Sequence, residues 1–448
     1  MLRFSWLQLV RLGLVQTALG AVVVLMTSTI NRVMVVELAL PAMVPGALVA
    51  LHYAVQVLRP RWGYGSDVGG RRTPWIVGGM LALCLGGFGA ALATAWTETN
   101  PVAGLALAVV SFLTVGMGAG AAGTSLLVLL ATGVEARRRG AAATIVWVMM
   151  IAGFAVTAPL AGHYLDPFSG ARLVAVSGTV SLVAFLVAVL AVTGVEPGRT
   201  MGRAADADPA KKPFREVLRR VLAEPASARF TVFVFVSMLA YSAQELILEP
   251  YAGLVFAMTP GATTKLAGLQ HGGVLAGMLL VAGLTAGIGG PVLGSLKLWT
   301  AVGCAGSALS LFAIAAGGPV GPEFPLRAAV FALGLCNGVY AVAAIGSMMA
   351  LAGRGGEAER GTRMGVWGAA QGVAFGAGGF LGTMAVDLAR LVTVEPVHAY
   401  AAVFAAEGGL FLVAVLIALR VEHAPVRERR NPLVQAARFQ LSPGYDAR

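Results

Sequence analysis

The sequence predicts an all-α polytopic membrane protein: twelve transmembrane helices in two six-helix bundles, with both termini cytoplasmic. Three observations predict it: the scarcity of charge, the number of apolar runs long enough to cross a bilayer, and the placement of basic residues between those runs. Of 448 residues, 58% are hydrophobic and 12% charged. Soluble domains carry about 25% charged residues, so a soluble multidomain enzyme is excluded. The 59 glycines fit the same reading, because small residues let membrane helices approach closely.

Roughly 20 apolar residues span the hydrocarbon layer. Runs of that kind occupy 12–31, 39–58, 74–95, 103–131, 142–162, 171–194, 229–256, 264–288, 297–316, 327–350, 364–385 and 399–420. The first follows Arg3 and Arg11 and has the look of a leader, but the many spans after it mark it as a retained helix. With the N-terminus cytoplasmic, only Arg32, Arg172, Lys265, Arg327 and Arg390 of the 32 Lys and Arg residues fall outside, and the remaining 27 fall inside. That asymmetry is the positive-inside rule. It sets the basic loops on the cytoplasmic side, in contact with anionic lipid headgroups, and explains the net charge of +11 without nucleic acid.

The polar stretch 196–228 divides the chain into an N-terminal bundle (1–195), a cytoplasmic linker (196–228), a C-terminal bundle (229–421) and a basic cytoplasmic tail (422–448). Cys84, Cys304 and Cys336 lie far apart in apolar runs, so neither a disulfide framework nor a zinc site is expected. No Ser/His/Asp setting, HExxH or P-loop supports enzyme chemistry.

The two halves carry a faint repeat. "VEARRRGAAATIVW" and "GEAERGTRMGVW" place Gly140 and Gly361, then Trp147 and Trp367, at nearly one offset. Between the second and third spans lies "GYGSDVGGRR". Gly63, Asp67, Gly70, Arg71 and Arg72 resemble the loop signature of the major facilitator superfamily, with a departure at Gly65, where a large apolar residue is usual. Glycines make the tight turn, and the aspartate can cap a helix or pair with an arginine. A dinucleotide fingerprint would need a preceding strand; here a membrane helix precedes.

Ionisable groups inside a bilayer are functional candidates. The seventh span holds Gln244, Glu245 and Glu249, the two glutamates on one helix face. Lys265 is a bland alternative partner for them. Glu407 lies mid-way in the last span, where a neutral or hydrogen-bonded structural role is the simpler reading. His52 and His271, 219 residues apart, are near the repeat offset. A neutral imidazole can act as axial ligand to a tetrapyrrole metal, or it can simply bond a neighbouring helix. The first span offers only Gln16 and Thr17 as notable polar groups, and the fourth and fifth carry no charge. That poverty suits a hydrophobic cargo better than an ion-driven carrier of polar solutes.

"QELILEPYAGLVFAMTPGATTKLAGLQHGGVLAGM" and "MGVWGAAQGVAFGAGGFLG" resemble the PucC/LhaA group, the bacteriochlorophyll delivery family of the major facilitator superfamily, over most of residues 5–420. Within it the chain looks similar to members encoded among bacteriochlorophyll biosynthesis genes. The resemblance implies an assembly factor that handles bacteriochlorophyll or a precursor as cargo in a photosynthetic membrane. Its implied partners are light-harvesting polypeptides and late enzymes such as bacteriochlorophyll synthase or geranylgeranyl reductase. It carries over no site residues beyond the loop signature. The competing expectation is a proton-coupled secondary transporter of a small amphipathic solute, with Glu245 or Glu249 as the coupling acid.

Overall fold

The computed structural model describes residues 4–55, 58, 71–135, 139–196, 219, 222–285, 290–352, 357–393 and 395–420. Gly63, Asp67 and Gly70 of the loop signature, most of the linker and the tail 421–448 lie outside them. Among the described residues, twelve helices carry the passes. In the first half they are α1 (Trp6–Val36, with a π-helical stretch at Leu25–Ile30), α2 (Met43–Val55), α3 (Thr73–Thr97), α4 (Pro101–Gly133), α5 (Arg139–Tyr164) and α6 (Gly170–Val192). In the second they are α7 (Pro225–Phe256), α8 (Pro260–Gly283), α9 (Leu296–Gly317), α10 (Leu326–Ala352), α11 (Glu357–Arg390) and α12 (Pro396–Arg420). Eleven of these contain an apolar stretch long enough to cross a membrane, and α2 is the short one among the described residues.

Local chemistry sets the helix starts. Ser5 and Gln8 form a reciprocal capping box ahead of α1. Asn100, Ser169, Thr259 and Ser295 each accept a first-turn amide of the helix that follows. Proline stands in the first turn of α3, α4, α7 and α8, where its missing N–H costs nothing.

One buried cluster draws on residues from Phe4 to Val195 together with Leu246 of α7, and a second on residues from Phe230 to Ala418. A third joins α1 and α5 to α8 and α10. Between the halves, α5 runs along α8 and α2 along α11. The 37–42 and 257–259 connections mark one end of the molecule, the loop face. Phe4, Gly133 and Arg420 mark the other, the terminal face. On the terminal face Arg11 donates to the carbonyls of Leu190 and Thr193 at 3.1 and 2.6 Å, satisfying the end of α6.

At the loop face the halves are tied by polar contacts. Asp387 on α11 accepts the amides of Ala42 and Met43 at 3.0 and 2.7 Å. Asp166 accepts from the Thr259 hydroxyl at 3.1 Å and the Gly261 amide at 3.2 Å. Thr29 and Thr264 share a hydrogen bond of 2.9 Å. The sequence expectation that the first helix ends near residue 31, leaving Arg32 in an outer loop, is corrected. α1 continues to Val36 and Arg32 is only 2% exposed.

A candidate site between the halves

On α7, Tyr241, Glu245 and Glu249 recur every fourth residue and form one stripe. Tyr241 and Glu245 are half-buried and Glu249 is buried. Glu249 faces Ser28 and Arg32 of α1. The Arg32 guanidinium pairs with Glu37 and donates to the Met258 carbonyl at 2.7 Å. Ala257, in the left-handed region at φ 51°, ends α7 just before that carbonyl.

The stretch "LEPYAG" can be read atom by atom. Pro250 has no N–H to offer Leu246 one turn back. The freed Leu246 carbonyl is met instead by the Asn31 side-chain amide at 2.6 Å, across the interface. Tyr251 donates to the Ile314 carbonyl on α9 at 2.9 Å. A Cβ on Gly253 would meet the Arg32 guanidinium at 3.0 Å, so glycine leaves room for the arginine.

"QHGG" has a similar logic. His271 Nδ1 lies 2.9 Å from the Ala267 carbonyl. A carbonyl only accepts, so Nδ1 carries the proton and Nε2 of the neutral ring keeps its lone pair. Nε2 faces Glu245 Oε1 at 3.8 Å, too far for a hydrogen bond. Phe154 of α5 meets the imidazole edge to face at 4.8 Å. Gly273 and Gly277 on α8 face Gly334 and Gly338 on α10, where the backbones touch. Two small-xxx-small pairs thus dock these helices and fix the height of His271.

His52 is buried on α2, edge to face with Tyr53 at 4.8 Å. Tyr53 and Tyr241 both approach Phe375 of α11, at 5.6 and 5.7 Å. The aromatic row joins the His52 helix to the Glu245 helix. His271, Glu245 and Phe154 therefore form one wall, and Tyr53, Phe375 and Tyr241 another. Gln244, named with Glu245 and Glu249 as a candidate from the sequence, lies off their stripe: one residue along a helix turns it about 100° away, and it is fully buried in the second half. Lys265 is exposed, and Glu249 faces Arg32 instead. Sequence reasoning also missed Arg32 and Asn31, whose partners lie more than 200 residues away.

Of the loop signature, Arg71 and Arg72 are described. The amides of Arg72 and Thr73, and the Thr73 hydroxyl, all donate to the Glu196 carboxylate at 2.7–2.9 Å. Glu196, four residues past the end of α6, thereby caps α3. Burial pushes its carboxyl pKa up, but the Thr73 and Arg72 hydrogen bonds and the Arg72 charge outweigh it and hold the group below its ordinary value.

Residues 29–425 match the family described as PUCC protein. The chain belongs to that family. It is 52% identical, over 93% of its own length and 96% of the other's, to the Rhodobacter capsulatus protein called bacteriochlorophyll synthase 44.5 kDa chain. It is 30% identical to protein PucC of Cereibacter sphaeroides, covering 94% of each chain. It is also 30% identical to an uncharacterized protein of the puhA-bchM intergenic region of Rhodobacter capsulatus, covering 92% of this chain and 88% of that one. Among solved structures, a peptide transporter crystallised with sulfate superposes with TM-score 0.68 at 15% identity, covering 94% and 96% of the two chains. The nucleoside transporter NupG does so with TM-score 0.66 at 14% identity, covering 93% and 99%. These likenesses establish the major facilitator fold. The protein is a multi-pass bacterial membrane protein of the PUCC family, with a transporter-like body and a relative named for bacteriochlorophyll.

Proposed function

We propose that this protein holds bacteriochlorophyll or a late precursor between its two halves and passes it to light-harvesting polypeptides during their assembly. It acts as a carrier rather than a catalyst, alongside late pigment enzymes such as bacteriochlorophyll synthase or geranylgeranyl reductase. The observation that carries this reading is the His271 imidazole. Its Nδ1 is tied to a backbone carbonyl and its Nε2 lone pair is turned toward Glu245 beside the ring of Phe154. A histidine whose second nitrogen is so held is oriented to ligate a metal through the first, and the magnesium of a tetrapyrrole is such a metal. His52 is the second candidate ligand. The 52% identity to a chain named for bacteriochlorophyll synthase supports the choice of pigment. The test is gentle purification from phototrophic membranes, read by absorbance and by the proteins that co-purify. Bound bacteriochlorophyll with a pigment enzyme or light-harvesting polypeptide is expected; a colourless, well-folded preparation overturns the reading.

A second reading, a proton-coupled transporter of a small amphipathic solute, draws on Glu249 facing Arg32 at the junction of the halves. Proton-dependent uptake into vesicles by a pigment-free preparation would favour it.

A further inference from the structure

The interior of the second half contains a polar layer that the candidate site does not use. Above it, toward the loop face, Tyr251 of α7 stacks near Tyr400 and Phe404 of α12 at 5.7 and 5.1 Å and donates to Ile314 of α9. A seven-residue step along a helix is about 10.5 Å and returns to within ~20° of the same direction. Taken toward the terminal face, that step leads from Tyr251 to Gln244, from Tyr400 to Glu407 and from Ile314 to Ser307. The three side chains therefore lie at nearly one height, and all three are buried within the second half. Ser307 Oγ is 2.8 Å from Asn337 Oδ1 of α10, which adds a fourth helix. Below the layer, Tyr340 packs against Phe411 at 5.7 Å and closes the other side.

Gln244 is 0% and Glu407 3% exposed, and Ser307 and Asn337 are equally sealed. Among the described residues, both Glu407 carboxyl oxygens, both Gln244 amide atoms and Asn337 Nδ2 have no protein hydrogen-bond partner. Nor does any described cation balance Glu407. Arg32 is the buried arginine among the described residues, and it belongs to α1 at the loop face with Glu37 and Met258. The titratable side chains nearby are Cys304 on α9, Tyr251 on α7, Tyr340 and Cys336 on α10 and Tyr400 on α12, all neutral in their ordinary forms; Tyr241 and Glu245 of α7 act on Tyr340, and Asp387 and the exposed Arg390 of α11 on Tyr400. On α11, Asp387 is engaged at the loop face by the Ala42 and Met43 amides. A carboxylate so enclosed needs a compensating positive charge.

We propose that Glu407, Gln244, Ser307 and Asn337 form a site for one monovalent positive charge, a proton or a sodium ion, inside the second half. The ligands are the two carboxyl oxygens, two amide carbonyl oxygens and a hydroxyl. These are hard oxygen donors suited to an alkali cation, and the carboxyl is equally a seat for a proton. The site adjoins the pigment wall, since Gln244 is the neighbour of Glu245 on α7, but its side chain is turned about 100° from that wall.

The test uses the full-length protein in detergent, with infrared spectra and thermal unfolding recorded in sodium, potassium and choline chloride. If the charge is a proton, a carboxylic-acid C=O band is present at neutral pH, is insensitive to sodium, and disappears in Glu407→Gln. If it is sodium, that ion alone raises the unfolding temperature and suppresses the band, and Ser307→Ala weakens the sodium response about tenfold. Should Glu407→Gln fail to fold, Gln244→Leu serves instead, because it retains the carboxyl and should shift its band or its sodium dependence. A protein with no sodium response and no band altered by these substitutions overturns the proposal.

Discussion

His271 Nε2 and Glu245 Oε1 face one another at 3.8 Å across the gap between α8 and α7. The distance leaves the nitrogen without a hydrogen bond from the acid, while Nδ1 is already committed to Ala267. If this nitrogen holds the pigment, His271→Leu should lower co-purified bacteriochlorophyll about tenfold or more, the equivalent of ~1.4 kcal/mol. The helical circular dichroism should be unchanged. His52→Leu, whose ring lies against its own neighbour Tyr53, is expected to cause a smaller loss, and absorbance per mole of protein checks both.

Arg32 holds the two halves together through Met258 and faces Glu249. Its replacement by leucine leaves Glu37 and Glu249 without their cation. Glu37 is exposed, so the cost comes chiefly from the Met258 carbonyl and the buried Glu249 left without a partner, about 1–3 kcal/mol. Thermal unfolding in detergent should fall accordingly, and Glu249→Gln added to Arg32→Leu should recover part of the loss.

Gly338 sits where a Cβ would collide with the Val274 carbonyl of α8. Gly338→Val should push α10 from α8 and destabilise the protein by about 1–3 kcal/mol, the usual cost of overpacking. Because the same docking fixes the height of His271, bound pigment should fall with stability, and Gly338→Ala should be the milder variant in both measurements.

Glu196 caps α3 as a carboxylate, with its pKa held below the ordinary value. A depressed folded-state pKa gives stability that is fully present above the unfolded value of about 4.3 and is lost as pH falls through the lower folded value. Glu196→Ala should therefore cost about 1 kcal/mol at neutral pH, the typical worth of a cap. The difference from the parent should vanish in acid, as denaturation at a series of pH values would reveal.

The passes of the fold were legible because apolar length and basic loops are local signals, and each sequence-predicted span corresponds to a helix. The site was legible in part. Glu245 and Glu249 share a face by simple periodicity, and that face does meet the other half. Gln244, their neighbour in sequence, points about 100° away from that face. Arg32 was read as an outer-loop charge, since nothing near it in sequence announces the Met258 carbonyl or the Glu249 carboxyl. Polar groups in a membrane protein are satisfied across the bundle, and such partners are invisible to a window that slides along the chain.

The same distance in sequence bears on how the chain is made. Arg32 enters the membrane early in synthesis, 226 residues before the Met258 oxygen that it finally meets. Glu37 emerges only five residues later and pairs with it, so the nascent first half can rest in lipid with this arginine already neutralised. Glu37 thus supplies Arg32 with a counter-charge that requires nothing from the second half.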